Sequence, residues 1–358
     1  MFLKNNHHQT YAAPRFYVGQ FITVIMKTIV SFAFIITVFL FTACSGSDKR
    51  YIPEVRKSEL PGVNIKIKRY GKAIFSIDTN NLKTGLKAIQ NNYLLFLGAD
   101  LDDSINLNKI KGFVTDTLNQ ALYEKTMMVF PDLHKLNEQL SAAYSYLKYY
   151  FPEYPVQSFY SYISGVYYEN PVMVYDTFAL IGLDNYLGKD CRYYDRFMIP
   201  KYKSRWMIPE EVAPDVMREV YFTLPQKNYK PSNLLDLMIA AGKRLYFLDA
   251  VMPDVPDTIK IKYTTKQLQW VEQNEKNVWA FLISEKLLFT ADFKQSNKLM
   301  QDGPFTNGFS REAPSRLGEW IGWQIVSSFM KNNQNISLKR LLQINDAQEI
   351  LNRSGYKP

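Results

Sequence analysis

From Thr28 to Ala43 the chain carries no charge, and the run stops at Cys44, after which Ser45-Gly46-Ser47-Asp48-Lys49-Arg50 turns polar at once. Lys27 stands immediately before the run. A charged start, an apolar middle and a small-residue end form the pattern of an export signal. Sixteen residues fall short of the roughly 20 that a permanent membrane-spanning helix needs. Only the chain beyond Cys44 is therefore expected to build a folded domain. Met26-Lys27 would serve as an ordinary signal start, which makes residues 1–25 an expected upstream extension. The alternative is an uncleaved anchor over Phe16 to Ala43, interrupted by Lys27.

Cys44 and Cys191 are the only cysteines. Phe41-Thr42-Ala43-Cys44 resembles the lipobox of bacterial lipoproteins, in which cleavage precedes a lipidated cysteine. Each buried chain methylene contributes about 0.8 kcal/mol, so two or three acyl chains on Cys44 would anchor the protein far better than one. Cys191 then has no partner, and no disulfide is expected. The expected organisation is residues 1–43 as signal peptide, 44–62 as lipidated cysteine and flexible tether, and 63–358 as one domain. The tether reading rests on Ser, Gly, Pro and charges without an apolar period.

Hydrophobic residues make up 47% of the chain and aromatics 15%, enough for a substantial core, so disorder is excluded outside the ends. Lys4, Arg15 and Lys27 lie upstream of Cys44 with no acid among them, so the net charge of +9 overstates the mature protein. A moderately basic exported chain faces anionic lipid or cell-wall polymer rather than nucleic acid.

Residues 63–70, "VNIKIKRY", alternate apolar and polar as a strand with one wet face does. Helices are predicted over 82–97, 105–129 and 131–150, the last carrying Leu133, Leu136, Leu140, Tyr144 and Leu147 at spacings of three and four. Residues 155–183 are rich in aromatic and β-branched types and broken at Glu169-Asn170-Pro171, predicting two or three strands. After a loop over 188–207, helices are expected over 209–224, 233–251, 264–288, 314–331, 337–342 and 346–352, with Thr264 and Asp346 as caps and Gly355 as a stop. The expected class is α+β, mostly helical, with a small central sheet.

Three histidines are present, and only His134 lies beyond Cys44, so the mature chain can build no HExxH zinc site and no three-histidine site. His134 is read as a surface or boundary residue, and no metal or other cofactor is expected. Asp176, Asp184, Asp190 and Asp195 cluster in sequence, and two carboxylates about 5–10 Å apart could hydrolyse a glycosidic bond. Acids near turns more often bond backbone amides, and Asp249, Asp254 and Asp257 are read the same way. Ten tyrosines between Tyr144 and Tyr175 could stack on a sugar or peptide, but in strands they commonly fill sheet faces. The 188–207 loop mixes basic and aromatic residues, and Arg192, Tyr193, Tyr194, Arg196, Arg205 and Trp206 are the candidate partner-binding set. Gly318 and Gly322, four apart on a helix, call for close helix packing or a cleft wall, because each glycine costs about 1 kcal/mol relative to alanine.

"NIKIKRYGKAIFSID", "FPDLHKLNEQLSAAYSYLKYYFPEYP", "DTFALIGLDNYLGKD", "MIAAGKRLYFLDAVMPD", "YTTKQLQWVEQNEKNVWAFLISEKLLFTAD" and "PSRLGEWIGWQIVSSFMKN", in this order, resemble the gliding-motility lipoprotein family GldB of Bacteroidetes. The resemblance implies an envelope lipoprotein of gliding motility or the linked type IX secretion apparatus, without established catalytic activity. It also implies a distant likeness to zincin-like peptidases, with Ala241 and Gly242 where an acid would stand. On that likeness Asp184, Glu219, Gly242, Arg316 and Trp320 mark a candidate degenerate cleft. The resulting expectation is a non-catalytic outer-membrane lipoprotein facing the periplasm, held by acylated Cys44 and binding another envelope protein, with no nucleic-acid partner and the oligomeric state open. The competing expectation is a carboxylate hydrolase or degenerate peptidase acting on cell-wall glycan or peptide, which requires two of Asp176, Asp184, Asp195, Glu219 and Glu319 to face each other.

Overall fold

Residues 63–67 alternate, yet they do not pair as a strand. Ile65 and Ile67 turn inward, while the amides of Val63, Ile65 and Ile67 donate to Ser145 Oγ, Ser141 Oγ and Asn137 Oδ1 of a helix. Two residues of extended chain advance about 6.6 Å and four residues of helix about 6 Å, so the two periods match. The expected 63–70 strand is thereby corrected to a segment bonded to side chains, with pairing at Lys68–Arg69 (β1).

The structure, a computed structural model, describes residues 50–225 and 230–358. The signal peptide and Cys44 lie outside the described residues. After β1 come α1 (Tyr70–Phe75), α2 (Leu82–Gln90), α3 (Leu94–Leu97), α4 (Ser104–Thr115), α5 (Thr117–Val129) and α6 (His134–Tyr150). Each of the first two predicted helices is split. Asn91 to Tyr93 interrupts one, and Asp116 ends α4 while capping α5 through Asn119 N. Next are β2 (Ser158–Tyr162), β3 (Val172–Val174) and β4 (Phe178–Gly182).

The expected 188–207 loop contains α7 (Arg192–Arg196) and α8 (Lys201–Ser204). The rest of the chain is helical, with α9 (Val212–Thr223), α10 (Leu234–Val251), α11 (Asp257–Ile261), α12 (Thr265–Ser284), α13 (Phe293–Met300), α14 (Leu317–Asn332), α15 (Leu338–Gln343) and α16 (Ala347–Ser354). Three caps fall where the sequence places them: Thr264 and Gln267 form a capping box, Asp346 accepts from Glu349 N, and Gly355 ends the last helix at φ 62°; Asn233, accepting from Asp236 N, caps α10 in addition. Among the described residues no helix is long and apolar enough to cross a membrane.

The sheet order is β1-β2-β4-β3, with β1 and β4 parallel to β2 and β3 antiparallel to β4. This is the expected α+β fold, mostly helical around a small sheet. The main core joins the sheet to α6, α9, α10 and α14; one smaller cluster lies under α2–α4, and another gathers around Leu122, Ile163 and Tyr194. The predicted glycine contact is a crossing of α10 and α14. A Cβ on Gly322 would lie 1.8 Å from the carbonyl oxygen of Met238, and one on Gly242 would lie 2.2 Å from the carbonyl oxygen of Gly322. Gly242 is thus a backbone contact inside the fold, which corrects its placement in a cleft.

Beside this crossing Lys243 is 7% exposed and donates to the Ile344 carbonyl oxygen. Burial pushes its pKa down to about 8, because an ammonium in apolar surroundings loses its hydration.

Gly322→Ala should cost about 3 kcal/mol or more through overpacking, whereas Gly112→Ala, on α4 with nothing within 4 Å, should stabilise by about 0.5–1 kcal/mol. Denaturant unfolding of both variants checks the contrast. For Lys243 the folded pKa lies below the unfolded value of 10.5, so the unfolded chain binds the extra proton and stability rises with pH. Between pH 7.5 and 9.5 the rise should be on the order of 2 kcal/mol, and Lys243→Met should remove it.

Candidate functional site

The 188–207 segment is pinned at both ends. Gly188, at φ 103°, donates its amide to the Met207 carbonyl oxygen at 2.9 Å. Between these ends Tyr194 is 1% exposed; its hydroxyl accepts from Leu187 N at 2.7 Å and donates to the Asp184 carbonyl oxygen at 3.2 Å. Tyr194 is therefore a core anchor, correcting its place in the partner-binding set. Buried Leu187, Cys191, Ile199 and Met207 pack with it. The result is a platform bonded to the domain, not a solvated loop.

Its outward residues diverge. Arg192 is exposed, its guanidinium 5.2 Å from the Tyr193 ring centre and Nη2 3.3 Å from the Tyr193 hydroxyl. These two residues border a cavity of 720 Å³ that is also lined by Lys125 and Met128 of α5 and by Gly188 and Pro209. With exposed Arg196 they also border a second recess of 530 Å³ beside Thr117 and Leu118. Arg205 and Trp206 line a different pocket, of 240 Å³, together with Tyr202, Lys262 and Arg316. The structure thus brings Arg192, Tyr193 and Arg196 together, and separately joins Arg205 and Trp206 to Arg316.

Of the remaining cleft candidates, Asp184 and Trp320 are held inside. Asp184, 0% exposed, accepts from Ser164 N at 2.8 Å, Ser164 Oγ at 3.0 Å and Val166 N at 2.7 Å. Gly165 and Val166 both have positive φ, an unusual conformation for a β-branched residue. That turn aims its amides at Asp184, and burial pushes the carboxyl pKa up against these donors. Asp184 holds a turn, which corrects its cleft role. Trp320 is buried and donates Nε1 to Glu275 at 3.0 Å. Glu319 pairs with Arg244 at 3.1 Å and Arg316 at 3.5 Å. Asp195 pairs with Lys201, and Asp176 and Asp190 are exposed. Half-buried Glu219 lies close enough to Arg244 and Arg218 for their charges to oppose the rise that burial imposes on its pKa.

Sequence reasoning missed a buried ionic quartet. Arg218 Nη1 donates to Glu211 at 2.8 Å and to Asp215 at 2.5 Å, and Lys262 Nζ lies 2.9 Å from Asp215 and 3.6 Å from Glu211. Tyr186 also donates to Asp215 at 3.0 Å. Burial pushes the Asp215 pKa up, but Lys262 and Arg218 outweigh it and hold the group low; Glu211 is held high by burial. Glu211, Asp215 and Arg218 recur at helical spacing, a signal the sequence did contain. Two acids against two bases balance, as a buried charge cluster must. Among the described residues no group of three or more His, Cys, Asp or Glu is arranged to hold a metal ion.

The family model described as gliding motility protein GldB matches residues 48–358. No curated protein and no solved structure matches the chain.

Asp184→Asn, which trades one carboxylate oxygen for an amide that cannot accept, should destabilise the domain by about 1–3 kcal/mol. It should also raise amide exchange at Ser164 and Val166, measured by hydrogen–deuterium exchange.

Proposed function

The chain belongs to the gliding motility protein GldB family and is a gliding-motility-related lipoprotein of the cell envelope; from that premise we propose a non-catalytic role, in which the domain binds a protein of the gliding or type IX secretion machinery. It does so at the periplasmic face of the outer membrane, where acylated Cys44 holds it. The cavity between α5 and the 188–207 platform carries this reading. Arg192 and Tyr193 present a cation and an aromatic edge there, the residue types enriched where binding energy concentrates.

The platform supports the reading energetically. A segment already bonded through Tyr194 and Gly188 loses little conformational freedom when a partner docks, so less binding energy is spent on ordering. The carboxylates that a hydrolase would need support it from the other side. Asp184 is bonded to a turn and Glu319 to two arginines. Arg192 and Arg196 are exposed and Tyr193 packs only at the edge of the small cluster, so truncating them should spare the fold.

The triple variant Arg192→Ala/Tyr193→Ala/Arg196→Ala, made in the full-length lipoprotein, should keep its thermal midpoint within a few degrees. It should lose most of the partner captured by a photocrosslinker placed at Met128. Undiminished capture would sink the assignment of this face.

A further inference from the structure

Arg50 is six residues after Cys44, inside the stretch expected to be a flexible tether, and it is built into the core. Its side chain is 14% exposed. The guanidinium carbon stands 3.6 Å from the centre of the Trp323 ring, Nε is 3.2 Å from Asp249 Oδ2, and Nη2 pairs with Asp257. Asp249 is buried and also accepts from Lys260 Nζ at 2.9 Å and Trp323 Nε1 at 2.7 Å. Without Arg50 the cluster would hold two carboxylates against one ammonium. Arg50 supplies the second cation, and an unbalanced charge is strongly disfavoured around buried Asp249, Asp257 being one-third exposed. The next residue is fixed as well, because the Tyr51 carbonyl oxygen accepts from the Tyr246 hydroxyl at 2.9 Å.

Six residues of fully extended chain span at most about 20 Å, whereas a free spacer over 45–62 would reach about 60 Å. We infer that Arg50 is a latch that holds the point where the chain enters the domain within about 20 Å of the lipid anchor at Cys44. This rests on the lipoprotein reading of Cys44. The latch corrects the tether expected over 44–62, because the chain belongs to the compact domain from Arg50 onward.

Two insertions of the same 20-residue Gly/Ser linker separate a latch from a free tether. One goes between Lys49 and Arg50 and the other between Pro61 and Gly62, in the full acylated protein reconstituted into phosphatidylethanolamine–phosphatidylglycerol vesicles. A dye on Lys276→Cys reports energy transfer to an acceptor carried by lipid headgroups. With a latch, the first insertion should at least halve the transfer and the second leave it unchanged; Arg50→Ala should behave like the first and speed amide exchange at Tyr51 and Ile52.

Equal losses from both insertions, or native transfer and exchange in Arg50→Ala, would overturn the latch. The 49/50 insertion leaves Arg50 in place, so it stays informative even if Arg50→Ala folds poorly. Mass spectrometry finding Cys44 unmodified would overturn the lipoprotein reading and the membrane placement with it, while exchange at Tyr51 and Ile52 still reports the latch separately.

Discussion

The fold is organised by one backbone-to-backbone contact. At Gly242 and Gly322, α10 and α14 approach so closely that any side chain on either would overlap a main-chain atom of the other helix. Such an approach brings long stretches of both helices into van der Waals contact, and the energy of packing grows with the number of contacts made. Both helices are buried along most of their length, as expected for the centre of a core rather than an amphipathic cover.

That crossing also decides the polar chemistry beside it. Trp323 comes directly after Gly322, and Asp249 lies two turns beyond Gly242, so the helices bring the indole nitrogen to 2.7 Å from the carboxylate. A buried aspartate with one indole donor is poorly compensated, and Lys260 and Arg50 complete the set. The N-terminal segment is in this way tied to the buried helix crossing at the centre of the core. A buried polar network of this kind is stable only when every member is satisfied, which makes each of its residues hard to replace singly.

A different solution appears at the periphery. The 188–207 segment buries Cys191, Tyr194, Ile199 and Met207 in a small cluster and is fixed there by a few specific bonds: Tyr194 to the backbone on either side of Tyr186, and Gly188 to Met207. Side chains pointing away from those bonds are left to line the cavity against α5. Much of the fold is legible in the chain itself. The helix caps at Thr264, Asn233 and Asp346 are local, because the side chain bonds an amide two or three residues away. The three strands between 158 and 182 announce themselves through β-branched and aromatic runs. Asp116 is harder to see, since a residue that ends one helix and caps the next looks like an interior polar residue when only periodicity is counted.

Neighbours along the chain suffice to set the apolar run ending at Cys44, the caps, the strand segments, the demand of Gly318 and Gly322 for a close companion, and the scarcity of histidine after the signal. Which residues face inward, and what they meet there, depends on packing in three dimensions. Tyr193 and Tyr194 are adjacent and chemically alike, yet one borders a cavity and the other is sealed in the core. Asp184 and Asp195 look equally suited to catalysis until one is seen holding a strained turn and the other an exposed lysine. Arg50 reads as part of a spacer because its partners, Asp249, Asp257 and Trp323, are some 200 or more residues away. Burial and charge balance are properties of spatial surroundings, and no local pattern in the chain encodes them.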